Sequence, residues 1–137
     1  MPAMARVAEE THINMESGEA RKALARMVTR LFELWKITTA EQLELLGLSR
    51  TSRAQLSKYR SGGAVPSSRD MLDRIGWLLS IHKSLRLLYP HNENIRYTWI
   101  KRRNRILDDQ RPLDIMTSQG LIGIARVARY LDFQRGM

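Results

Sequence analysis

The chain contains no cysteine. A disulfide scaffold and a thiolate metal site are therefore excluded, and the composition suits a reducing cytoplasm. No apolar run approaches the roughly 18 residues that a membrane span requires. The N-terminus has no apolar signal core either, so a cytoplasmic protein without membrane contact is expected. Met1, Met4 and Met15 are each an available start. Alternation with period two is nowhere long enough for a strand. Histidine is scarce: His12, His82 and His91 are the only ones, without metal-ligand spacing. A glycine-rich phosphate loop and a Ser-His-Asp pattern are missing. Asp108 and Asp109 form a carboxylate pair, but adjacent acids before a helix more often serve its cap or dipole. These absences point away from an enzyme and imply neither cofactor nor metal.

Carboxylates are rare in one region. Residues 50–103 hold twelve Lys/Arg against three Asp/Glu, a net +9. Residues 1–49 carry −1 and residues 104–137 carry +1, so the whole-chain charge of +9 resides in the middle third. Such a block raises the electrostatic potential for a phosphate backbone. With 137 residues and 43% hydrophobic content, the chain supports one domain, or two very small ones sharing a core.

What is present throughout is helical spacing. Residues 1–17 show no sustained period and read as a mobile N-terminal arm. From Gly18, residues Leu24, Met27, Val28, Leu31, Phe32 and Trp35 recur three and four apart, one apolar stripe on a helix of about five turns. Thr39 with Gln42 forms a capping-box pattern for a short second helix that Gly47 ends. Ser49, Thr51 or Ser52 caps a third helix with Leu56 and Tyr59 inward. A fourth runs from Ser67-Ser68 to Pro90, with Met71, Leu72, Ile75, Leu78, Leu79 and His82 on one face; His82 reads as a packed core residue. A fifth starts near Asn92, and Pro112 suits a first helical position. Gly120 then breaks the run before a final helix with Leu121, Ile124, Val127, Ala128 and Leu131 inward. The expected fold is an all-α compact helical bundle, with an N-terminal helix-turn-helix-like element and a small C-terminal helical domain.

The stretch "TTAEQLELLGLSRTSRAQLSKYRSGG" has the order helix, glycine turn, helix. In the DNA-binding motif with that order the second helix lies in the major groove. Arg50, Thr51, Ser52, Arg53, Gln55, Lys58 and Arg60 are the candidate DNA-binding residues. Arginine suits guanine, glutamine suits adenine and lysine suits phosphate. The spacing departs from the tight form of the motif: Leu48 and Leu56 are eight apart, and arginine occupies position 53, where a core residue would fall. The turn is therefore longer, or the second helix starts later.

The stretch "YTWIKRRNRILDDQRPLDIMTSQGLIGIARVARYLDFQRG" carries Trp99-Ile100, Asn104, Pro112-Leu113, Gly120 and an amphipathic run from Ile124 to Leu131 that ends at Gly136. This ordered set resembles the toxin-binding domain of bacterial antitoxins of the Xre/MbcA/ParS type. Residues 69–90 are similar to that family's central helix, and the resemblance covers about residues 20–136. One departure is the loop before the proline, where glycine is usual and Asp108-Asp109-Gln110-Arg111 stands here. The resemblance implies a toxin-binding domain in residues 90–137, preceded by a DNA-binding and dimerisation region in residues 18–89. It implies a RES-type, NAD-degrading toxin as partner, held inactive with the C-terminal region over its active-site entrance, and operator DNA as a second partner. Trp99, Asn104, Arg111, Pro112, Leu113 and Gly120 are candidate toxin-binding positions by this resemblance, although Trp99, Leu113 and Val127 read first as core. Arg126, Arg129, Tyr130 and Arg135 are placed on the polar side of the last helix and are residue types favoured at interfaces; Arg135 with Gly136 and Met137 forms the tail expected to reach a partner's cleft. A homodimer is expected from the wide stripe of the first helix and from the palindromy of operators. The alternatives are a stand-alone helix-turn-helix regulator without a toxin, and a ParS-like helical scaffold for another partner.

Overall fold

Ser17 sets the first helix. Its backbone is extended, and its side chain accepts a hydrogen bond from the Ala20 amide at 3.1 Å, which satisfies one of the free donors of the first turn. The computed structural model describes residues 17–136, so the arm expected for residues 1–17 lies, apart from Ser17, outside the described residues, as do His12 and Met137. Helix α1 (Gly18–Trp35) ends at Lys36, a left-handed residue with φ 53°. Five more α-helices follow: α2 (Thr39–Leu45), α3 (Arg53–Arg60), α4 (Arg69–Leu88), α5 (Glu93–Thr98) and α6 (Pro112–Gly136). Two 3-10 turns, Trp99–Lys101 and Arg105–Leu107, join α5 to α6, and no strand occurs among the described residues. The all-helical expectation therefore holds.

The capping box of α2 is one residue earlier than expected. Thr38 is the N-cap, with Glu41 as its reciprocal partner at 2.8 and 3.1 Å. Gln42, expected in that role, is buried instead. Its amide donates to the Ile37 carbonyl at 3.1 Å, and its carbonyl accepts from the Arg60 guanidinium at 2.8 Å. One buried amide thus ties the end of α3 back to the start of α2.

Buried apolar residues from Ala25 to Leu131 form one cluster. Val28, Leu31, Phe32 and Trp35 of α1 are buried in it, and α1 packs against α3, α4 and α5. Of the six residues in the stripe from which a dimer was expected, Met27 stays 53% exposed, Leu24 is partly buried, and the other four thus belong to the chain's own core. Each such side chain contributes roughly 1.5–3 kcal/mol when removed from water, more than any surface contact in the molecule offers.

The last helix owes its shape to one residue. Gly120 has φ 65° and ψ −144°, a conformation that a side chain at Cβ makes costly. The kink there turns the chain so that residues 112–119 and 121–136 both bury apolar faces. Gly123 permits the close return, since a Cβ on it would collide with the Ile115 carbonyl oxygen and stand 2.7 Å from Cβ of Gln119. Beside the kink lies Arg74 of α4, whose side chain is only 14% exposed. Its Nε donates to Asp70 at 2.9 Å, and its Nη1 reaches the Glu44 and Leu45 carbonyls at 3.5 and 3.4 Å. A cation there complements the carbonyl end of α2. A Cβ on Gly47 would lie 2.8 Å from this guanidinium, and a Cβ on Gly120 would lie 3.9 Å from it. Arg74 therefore sits between the end of α2 and the kink of α6.

Between α4 and α5, the His82 ring stacks on Tyr97 at 5.9 Å and 19°, with Arg96 over the other ring at 5.7 Å. Burial, with added repulsion from Arg86 and Arg96, holds the His82 pKa below its usual 6.5.

Gly120→Ala is expected to lower the unfolding free energy by about 1–3 kcal/mol; a urea midpoint equal to wild type would mean that glycine does not hold the kink. A second expectation concerns acid. Burial makes His82 harder to protonate in the folded chain than in the unfolded one. Stability is full above the unfolded value near 6.5 and falls as pH drops from there through the lowered folded value. Thermal melting across that range should show the fall in wild type and a shallower fall in His82→Phe; equal slopes would exclude His82 as the cause.

Candidate nucleic-acid and protein-binding faces

The first face is built on α3. Leu56 and Tyr59 are buried, and burial raises the Tyr59 pKa, so the hydroxyl stays protonated. These two anchors turn Arg53, Gln55 and Lys58 outward, all exposed. The turn between α2 and α3 spans residues 46–52, longer than the three or four residues of the tight motif. That length resolves the departure in spacing: Leu48 is half-buried in the turn, α3 begins at Arg53, and the arginine never enters the core. Ser49 shares hydrogen bonds with Thr51 at 2.8 Å and Ser52 at 3.0 Å, which ties the hydroxyls of the turn together. Ser52 occupies the N-cap position but makes no side-chain cap; its backbone carbonyl accepts from the Gln55 amide at 3.1 Å.

Electrostatics on this face are one-sided. The sequence of α3, RAQLSKYR, has no carboxylate. Among the described residues, Arg50, Arg53 and Lys58 form no ion pair, whereas Arg69, Arg74, Arg103, Arg111, Arg126 and Arg135 do. Arg60 is different from its neighbours. Its bond to buried Gln42 makes it a brace for α3 as much as a free cation. The structure thus brings Arg50, Thr51, Ser52, Arg53, Gln55 and Lys58 to one helix and its leading turn.

The second face is on residues 121–136 of α6. Leu121 aside, the inward residues are as expected: Ile124, Val127, Ala128 and Leu131 are buried. The outward positions 122, 126, 129 and 133 follow one another by four, three and four. They carry Ile122, 78% exposed, Arg126, Arg129 and Phe133, 63% exposed. Ile122, Ala125, Arg126 and Arg129 line a shallow groove of about 420 Å³. Arg129 lies over the Trp77 ring of α4 at 5.9 Å. Arg126 pairs with Asp108 at 2.8 Å, which fastens the turn that carries exposed Ile106 to the same helix. The reading from sequence missed Ile122, Phe133 and Ile106; the signal available was the same three-and-four spacing applied to the outward side.

The other candidate toxin-binding residues hold this unit together. Trp99 and Tyr130 are half-buried and stack at 6.2 Å and 17°. Tyr130 is therefore not on the polar side of the helix, because it covers Trp99. Asn104 donates to the Tyr130 hydroxyl at 3.4 Å and accepts from the Ile106 amide at 2.9 Å, and its own amide bonds the Gln110 carbonyl at 3.0 Å. Asp108 and Asp109 both adopt left-handed φ, 59° and 57°. Aspartate tolerates that conformation better than most residues, which accounts for a loop of this shape without glycine. Pro112 and Leu113 are buried and offer no side chain to a partner. Arg111 grips Asp114 through two bonds of 2.9 and 2.7 Å, and these hold the Asp114 carboxyl below the usual carboxylate range. Arg135 pairs with Asp132 at 3.3 Å, and Gly136 is exposed in the last turn of α6, so the described tail is helical to its end. Among the described residues no cluster of three or more metal-ligating side chains forms, and no helix is long and apolar enough to cross a membrane.

Known family models match the two segments that carry these faces. The model of the antitoxin Xre-like helix-turn-helix domain matches residues 3–80. The model of the antitoxin Xre/MbcA/ParS C-terminal toxin-binding domain matches residues 84–136. The uncharacterized protein y4oB of Sinorhizobium fredii (strain NBRC 101917 / NGR234) is 35% identical over 108 residues, covering 78% of this chain and 80% of that protein. The first match ends and the second begins within α4, the helix that packs against α1 and α6.

Proposed function

This chain belongs to the Xre-like antitoxin family, with a helix-turn-helix domain and an Xre/MbcA/ParS toxin-binding domain, and from that premise we propose that it neutralises a RES-type, NAD-degrading toxin and represses its own promoter. Residues 90–137 hold the toxin and cover the entrance to its active site. Residues 18–89 bind operator DNA and dimerise on it, in the cytoplasm. The chain acts by occlusion, needs no cofactor and catalyses nothing. The observation that carries the DNA half is the carboxylate-free α3, with Arg53 and Lys58 exposed and unpaired. Its turn and helix supply arginine and glutamine for base edges and lysine for phosphate. The toxin half rests on the C-terminal match together with the exposed outer side of α6.

Co-expression with the neighbouring toxin is the test of the toxin half. A stable complex in which NAD loss stops supports it; a toxin that neither co-purifies nor slows leaves a stand-alone regulator. For DNA, Arg53→Ala with Lys58→Ala should weaken operator binding by about tenfold or more and reduce its salt dependence. The melting temperature should not move, because both side chains are exposed. Unchanged operator affinity would take α3 out of the groove.

A further inference from the structure

Five large apolar side chains are exposed among the described residues, and two of them, Ile122 and Phe133, share the outer stripe of α6 with Arg126 and Arg129. Among the described residues nothing covers this stripe. Its inner side is fully used by Ile124, Val127, Ala128 and Leu131, so the outer apolar pair adds nothing to the core. Leaving isoleucine and phenylalanine in water within one helical stripe is unfavourable unless a partner removes them from it. The arginines between them are held in place. Arg126 is fixed by Asp108 at 2.8 Å, and Arg129 lies over Trp77 at 5.9 Å. Pre-positioned arginines next to exposed apolar anchors are the composition of an interface centre.

We infer that this stripe is the energetic centre of the contact with the toxin, Ile122 and Phe133 entering apolar pockets and Arg129 meeting a carboxylate at their rim. The inference rests on the toxin-binding reading above and adds which side chains carry it and what surface they require. A second copy of the chain fits the stripe poorly. Across a two-fold axis the same patch faces itself. Arg126 and Arg129 would then approach their own copies, and Arg129 has no carboxylate partner among the described residues. An acid-rimmed apolar surface on a different protein complements both features. The stripe also lies wholly within residues 84–136, the toxin-binding match.

The test titrates the purified cognate toxin against the full chain and three variants: Ile122→Ser with Phe133→Ser, Ile122→Gln alone, and Arg129→Glu. All three changes fall on exposed atoms, and circular dichroism with thermal melting checks that each variant folds; should the double variant fail, the two single ones carry the test. The expected result is a Kd raised about a hundredfold or more for the double variant. Arg129→Glu should bind more weakly by about tenfold or more, with operator binding unchanged in every variant. A wild-type chain that does not bind the toxin overturns the toxin-binding reading, and this inference with it. A wild-type chain that binds while the double variant binds equally well overturns this inference alone. Loss of self-association with toxin binding intact, read by sedimentation, assigns the stripe to a second copy and likewise overturns it.

Discussion

The backbone of Gly120 governs how the rest of this molecule is arranged. Its φ of 65° and ψ of −144° turn one apolar segment into two packing surfaces. Without that turn, α6 would run straight and could bury only one side. With it, the segment packs against α4 and also against α2, the first helix of the helix-turn-helix element. Arg74 occupies the junction, its guanidinium close to Gly47 at the end of α2 and to the kink itself. A backbone at φ 65° and ψ −144° is open to glycine and costly for a residue with a Cβ, so the geometry of the fold is encoded in a residue with no side chain.

Both candidate faces follow from which side chains this core consumes. On α3 it takes Leu56 and Tyr59, which leaves a basic helix without acids. On α6 it takes Ile124, Val127, Ala128 and Leu131, which leaves Ile122, Arg126, Arg129 and Phe133 outside. The loop from Trp99 to Arg111 works differently. Its polar and aromatic residues, Asn104, Asp108 and Trp99 with Tyr130, fasten it to α6. Several residues marked by the resemblance to antitoxins therefore shape the binding unit from within, and their role is to hold the exposed ones in place.

Much of this was legible in the sequence, because helices in a small bundle write their buried side as a three-and-four spacing. Pro112 and Gly120 marked the start and the break of the last segment through backbone chemistry alone. Other features were out of reach for physical reasons. Thr38 and Thr39 are equally good caps locally, with Glu41 and Gln42 equally placed to reciprocate; the choice was made by the burial of Gln42 and its bond to Arg60, eighteen residues away. The left-handed Asp108 and Asp109 defied the expectation of glycine, since aspartate adopts that region at modest cost. Apolar spacing on α1 reports that a face is buried, not whose core buries it: Val28, Leu31, Phe32 and Trp35 pack within the chain, whereas Met27 of the same stripe is exposed. Ile122 and Phe133 lie on the outward side of the same periodicity, where an apolar side chain carries no spacing signal of its own.

The claim that one core supports both faces is tested most directly by native-state hydrogen exchange under rising urea. Amides of α2, α3 and both halves of α6 would be followed together. A shared core predicts that their opening free energies converge on a single global value, with α3 lost in the same step as residues 121–136. Two separate isotherms, with α2 and α3 opening while α6 remains protected, would contradict it and make the two faces independent units.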